Sequence, residues 1–471
     1  MTFLSIRRKQ IPAAAFFVGW LVAVSGSTTI HALTPTDTGC RVESVDYKGW
    51  RAEQVSNRWL QLIVVPQNGG RLMQVTFAGH SYLFNNPKLA GKYFPPTTGQ
   101  WFNYGGDKLW PLPEGNEDEQ HWVGDSDILD DGPFTFRKVS EGNECKIELT
   151  GPADPQTGIQ YSRTISIDAE TPRIRFHASM KNGTGHTVEW SMQSVSQYDT
   201  SNHAPSGGDS SPMNHDFWTF TPANPASSYL NRYHVRFGPA ENRAASVRDD
   251  GLFAVHYVHM AAELWLDSPD GWLAVVDGSS RYAMVERFEY EPARTYPGKA
   301  SVIFWTNGPE MRLKNDGEVS VSSDPDSSPY YLEAELNSPM CHLRPSESCS
   351  FDTQWFPTRS GGEFHGVREA GILIHPLKAT RTPGGTVKLS GSFGVFFSGR
   401  LEAHLYDEHG ASLAITPMMD VTPNEAAILE KEVPGKAARV SLHLVDQGGV
   451  DYGSLGEVRV EEIDTKTGET R

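Results

Sequence analysis

After its first two dozen residues the chain has no apolar run near the ~20 residues a membrane-spanning helix needs. It has no excess of positive charge either: 41 Lys and Arg face 58 Asp and Glu. A nucleic-acid partner normally demands a basic surface, so that class is set aside. An anionic surface or substrate is disfavoured on the same ground, which leaves neutral or cationic ligands. Convincing amphipathic helices, short repeats and low-complexity tracts are absent. So are Gly-x-Ser-x-Gly, the phosphate loop and the dinucleotide fingerprint, and no cofactor is implied. Cysteine is scarce, with four in 471 residues and no Cys-x-x-Cys, which excludes a zinc ribbon or thioredoxin motif.

What the chain does have begins with Arg7, Arg8 and Lys9, then the apolar stretch AAAFFVGWLVAV and small residues ending TTIHA. That order reads as a signal peptide, residues 1–32, cut near Ala32. The expectation is an exported protein, periplasmic or extracellular, with no membrane association after cleavage. Export permits disulfides. Cys341 and Cys349 flank HLRPSES, a turn between two strands, and a bridge there leaves Cys40 to pair with Cys145; buried free thiols are the alternative.

The remaining pattern is β. RIRFHASMKN alternates strictly, with Ile174, Phe176, Ala178 and Met180 on one face. RLMQVTFAG, GIQYSRTISI, SVIFWTNG and YYLEAELNSP behave alike, separated by Gly, Asn, Asp and Pro turns. The polar, glycine-rich TRSGGEFHG (358–366) then breaks the chain before alternation resumes in TVKLSGSFGVFF, RLEAHLYD and RVSLHLVD. The expected division is a large domain at 40–358 and a small β-sandwich at 367–465. Residues 207–239, aromatic but irregular, read as an ordered loop at the rim of a cleft.

The candidate site starts from FNYGGDKLWPLPEG, residues 102–115, which has no aliphatic face to bury. Gly105 and Gly106 allow a tight turn or close approach to a ligand. A carboxylate and an ammonium, Asp107 and Lys108, suit the hydroxyls of a sugar, which both donate and accept. Trp101, Trp110 and Trp122 offer flat faces for a sugar ring. The plainer alternative is a wide turn with a solvated ion pair and a core tryptophan. The acidic DSDILDDG (125–132) lacks calcium-loop spacing and reads as a solvated loop. His256 and His259, three apart, would face opposite sides of a strand and cannot share a metal. In YYLEAELNSP, Tyr331, Glu333 and Glu335 share one face, either an exposed surface or the floor of a polar cleft. A carboxyl sunk into such a floor acquires the raised pKa that acid–base work needs.

NGGRLMQVTFAGHSYLFNNPKLAGK, NYGGDKLWPLPEG, TGIQYSRTISI and YLEAELNSPMCHLRPSESCSFDTQWFP together resemble a bacterial family of unknown function. That family is itself similar to the aldose 1-epimerases, or galactose mutarotases. The resemblance covers about residues 45–358, and GGDKLWP is its most specific part. It implies an all-β supersandwich of two large antiparallel sheets, with a carbohydrate on an open face. It also implies that Arg71, Trp101, Asn103, Asp107, Lys108, Trp110 and Gln193 bind substrate. Glu335 or Glu333 resembles the epimerase base, because LRPSES stands where that family has leucine–x–proline–glycine–glutamate. Gln193 stands near one family histidine and Tyr104 at the other. With both histidines replaced, Tyr104 or Lys108 is the remaining proton donor, and the resemblance speaks for the fold more than for the reaction. A non-catalytic sugar-binding module and a structural envelope protein are the competing classes.

Overall fold

The computed structural model describes residues 39–96, 102–115, 121–122, 128–203, 211–240, 242–309, 311–313, 319–321 and 328–462. The expected signal segment lies outside them.

The alternating segments become strands of two large antiparallel sheets. The first is ordered Arg41–Tyr47, Trp50–Ser56, Leu60–Val65, Arg71–Phe77, Asp107–Leu112, Val188–Asp199, Tyr331–Asn337, Val302–Thr306, Ala262–Leu266 and His234–Phe237. The second runs from Ala245–Val247 through Phe217–Pro222, Trp272–Asp277, Tyr282–Phe288, Ser348–Arg359 and Ile174–Asn182 to Thr135–Ser140. They pack face to face on one apolar core. Val64, Val75, Leu332 and Leu336 of the first sheet meet Ile147, Ile165, Ile174 and Trp355 of the second. The period of two puts one set of side chains in that core and sends the other outward.

Beyond Val367 two four-stranded sheets form the small C-terminal sandwich. Its apolar residues, among them Leu389, Phe393, Leu401 and Leu442, do not close a separate core. They are continuous with Phe220, Ala254, Trp272, Val285 and Phe356 on the outer face of the second sheet. The backbone between them is exposed only briefly, at Gly361–Glu363. A broad-specificity protease should therefore nick residues 361–363, and the two fragments should still co-elute in native gel filtration. Separate elution would show that the shared core contributes little.

Both expected disulfides are formed, Cys40–Cys145 and Cys341–Cys349, with Cα atoms 5.7 and 6.4 Å apart. Two such bridges mark an extracytoplasmic protein. Among the described residues no helix is long and apolar enough to cross a membrane.

One expectation fails. Residues 207–239 are not a single loop, because FWTFTP forms the strand Phe217–Pro222 of the second sheet and HVRF forms the edge strand of the first. Each is short and bounded by irregular chain, which hid the alternation of Phe217, Thr219 and Thr221 against Trp218 and Phe220.

Candidate functional site

The strand Tyr331–Asn337 lies inside the first sheet, between Val188–Asp199 and Val302–Thr306. Leu332, Ala334 and Leu336 enter the core, so Tyr331, Glu333 and Glu335 face outward. They are nonetheless buried, with Glu333 and Glu335 only 8% and 6% exposed, which decides for a cleft floor over an open surface. Above them is a cavity of about 300 Å³.

Its walls follow from strand register. Glu335 lies opposite Ile303, which lies opposite Trp265; Glu333 lies opposite Trp305, which lies opposite Glu263. On the other side Gln193 pairs with Trp110. A bulge between Val235 and Phe237 turns Arg236 of the edge strand toward the same space. Glu114, just after the strand Asp107–Leu112, completes the wall.

The carboxyls are held unevenly. Gln193 donates through Nε2 to Glu335, and Gln197 donates to Glu333 Oε1 at 2.5 Å. The two glutamates stand side by side on one face of the strand, so each influences the ionisation of the other. Burial, then the charges of Glu333, Glu263 and Glu114, push the Glu335 carboxyl well up. Burial raises Glu333 too, but the Lys108 ammonium and Gln197 oppose it. Glu114 is open to solvent on one side, yet protein on its other sides, then Glu263, push it up to about 7. Burial likewise raises Glu263, against the indole N–H of Trp265, which donates to Glu263 Oε1 at 2.5 Å.

Behind the floor is a buried ion network. Arg71 Nη2 contacts Asp130 Oδ1 at 2.5 Å and Asp131 Oδ1 at 3.4 Å. Lys108 Nζ lies 3.8 Å from Asp130 Oδ1 and 3.6 Å from the centroid of the Trp110 ring. Trp110 Nε1 donates to Asp130 Oδ1 at 3.0 Å, so the network sets the angle at which the indole faces the cavity. Asp130 and Asp131 belong to the short helix Ile128–Asp131 and are fully buried, against the expectation of a solvated loop. Charge is buried there because Arg71 meets it, a pairing that no local spacing announces.

The sequence candidates therefore divide. Trp110, Gln193, Glu333 and Glu335 line the cavity, and Lys108 supports Trp110 from below. Asp107 does not join them. Adjacent residues of a strand face opposite sides, and Asp107 points between the sheets, paired with Arg163 and near the hydroxyls of Ser194 and Ser196. Arg71 belongs to the buried network and does not line the cavity. Tyr104 packs in a separate cluster with Trp50, Ile63 and Met73, and its hydroxyl accepts from the Phe94 N–H at 3.0 Å. Burial pushes its pKa up to about 12, away from what a donor needs. Asn103 caps the Gly105 N–H through Oδ1 at 3.1 Å and faces Tyr331. Trp101 lies outside the described residues. Gly105 and Gly106, at φ +89° and +79°, serve the chain's own packing. A Cβ would stand 2.1 Å from the Phe84 carbonyl oxygen at one and 2.7 Å from that of Leu72 at the other.

No protein-family model and no curated protein matches the chain. Solved structures that resemble it include galactose mutarotase-like proteins. One from Clostridium acetobutylicum has a TM-score of 0.41 at 10% identity, over 68% of this chain and 99% of that one. Another, from Lactobacillus casei, has a TM-score of 0.42 at 9% identity, over 65% and 99%. A TPR-domain containing protein from Parabacteroides distasonis has a TM-score of 0.44 at 14% identity, over 66% of this chain. There the match spans 47% of the other protein's length.

Proposed function

We propose that this is an exported carbohydrate-binding protein of the periplasm or cell exterior. It holds a sugar on the outer face of its first sheet, where Glu333 and Glu335 exchange a proton with it. The observation that carries the reading is the cavity itself: paired carboxyls on the floor and Trp110, Trp265 and Trp305 around them. Indole faces match the C–H face of a pyranose, while the carboxyls and Gln193 match its hydroxyls. The acidic lining disfavours uronates and sugar phosphates.

Within the pair the environments differ. Glu335, crowded by three other carboxyls, keeps its proton and is suited to donate; Glu333, facing Lys108, gives its proton up more readily and is suited to accept. This exchanges the role first expected for Glu335 and removes the need for Tyr104. The sugar site belongs to the 40–358 part; residues 367–462 cover the far face of the second sheet, away from the cavity.

A glycan array tests binding, and polarimetry on freshly dissolved aldoses tests proton transfer. Wild type should bind at least one neutral or cationic glycan. Trp305→Ala should weaken that binding about tenfold, or ~1.4 kcal/mol. Glu335→Gln should remove any turnover while binding persists. No glycan bound by wild type, or equal binding by wild type and Trp305→Ala, would sink the reading.

A further inference from the structure

We propose that the sugar taken by this cavity carries a primary amine, held as an ammonium among Glu114, Glu263 and Glu335. The inference rests on the sugar-site reading above and narrows it to amino sugars.

Charge is the first argument. Among the described residues four carboxyls line the cavity, Glu114, Glu263, Glu333 and Glu335, against one lining cation, Arg236. Glu333 has the Lys108 ammonium near it, and Arg236 is shared between Glu114 and Glu263. The Lys108 charge reaches Glu335 too, but more weakly than those of three carboxyls. The strongest charges on it after Glu333 are Glu263 and Glu114, and Glu263 is the strongest on Glu114. Three carboxyls from three separate elements therefore converge on one space. One is on the strand Tyr331–Asn337, one on Ala262–Leu266, and one after Asp107–Leu112.

Hydrogen-bonding capacity points the same way. Gln193 and Gln197 both spend Nε2 on the floor glutamates, and Trp265 spends its N–H on Glu263. Gln197 Oε1, buried beside Glu333, has no hydrogen-bond partner among the described residues. Among the described residues the lining is thus rich in acceptor oxygens, and its positive charge comes from Arg236. A neutral sugar offers more acceptor sites than donors, and no charge. An ammonium offers three donors and the missing positive charge, and it can also lie over an indole face of Trp265 or Trp305.

Isothermal titration with the mature chain decides this, using trisaccharides of glucose, of N-acetylglucosamine, and of glucose bearing one primary amine. The amine-bearing sugar should bind at least tenfold more tightly than the other two at neutral pH. Glu263→Gln and, separately, Glu114→Gln at the solvent-facing wall should each cut that preference at least threefold. The preference is read within each variant as the ratio of the amine-bearing to the all-glucose dissociation constant. Equal or tighter binding of the neutral sugars overturns the amine assignment and leaves the sugar site standing. A preference that survives both substitutions shows attraction to the acidic surface at large, and overturns it too. No binding of any of the three overturns the amine assignment, and the glycan array then decides the sugar site by itself.

Discussion

Replacing Arg71 with alanine should lower the stability of the chain by ~3–5 kcal/mol, the cost of leaving a buried charge without its partner. Arg71, Asp130 and Asp131 have no exposed side-chain surface, and the guanidinium contacts both carboxylates. Taking charges out of water costs several kcal/mol per ion, and only the opposite charge makes that tolerable. The network also carries Lys108 and Trp110, so the loss should spread to the cavity wall. Urea unfolding followed by circular dichroism measures the first effect. Quenching of tryptophan fluorescence by a neutral quencher measures the second, because a released Trp110 becomes more accessible. A loss below 1 kcal/mol with unchanged quenching would show that the network neither stabilises the fold nor positions the indole.

The same residues show what the sequence made legible. Alternation in YYLEAELNSP placed Tyr331, Glu333 and Glu335 on one face, because the period of a strand is fixed by backbone geometry. It left open whether that face met solvent or other side chains, since the answer depends on strands up to about 220 residues away. The same alternation separated Asp107 from Lys108, but the missing aliphatic face of NYGGDKLWP disguised that segment as a turn. Its opposed faces are a buried ion pair inward and an ammonium under an indole outward. Glu263 and Trp265 carried a readable signal in AELWL, where they alternate with Ala262, Leu264 and Leu266. Nothing local set a Glu and a Trp there apart from an ordinary exposed face. Arg236 was not readable, because a bulge aims it. The disulfides were legible for the opposite reason: a turn holds Cys341 near Cys349, and with four cysteines one pair fixes the other.

The chain should also lose stability as pH rises from about 5 to about 9, through one carboxyl buried between the sheets. Glu286 is fully buried on the strand Tyr282–Phe288 and accepts a hydrogen bond from the Tyr198 hydroxyl at 2.5 Å. Burial first, and then the Asp107 carboxylate, push its pKa from the ordinary 4.5 up to about 8. The folded state therefore holds a proton that the unfolded chain releases above pH ~4.5. A group with a raised folded pKa contributes its full stability below the unfolded value. It loses that contribution as pH climbs through the folded value. A shift of this size corresponds to a loss of ~5 kcal/mol across the window, at ~1.4 kcal/mol per pH unit. Glu286→Gln keeps an oxygen for Tyr198 and cannot ionise. It should match wild type near pH 5, exceed it by several kcal/mol near pH 9, and lose stability less steeply between. Urea midpoints at four pH values, wild type beside variant, provide the measurement. Parallel slopes in the two proteins would mean that Glu286 is already ionised in the fold, with Arg163 rather than a bound proton balancing the charge between the sheets.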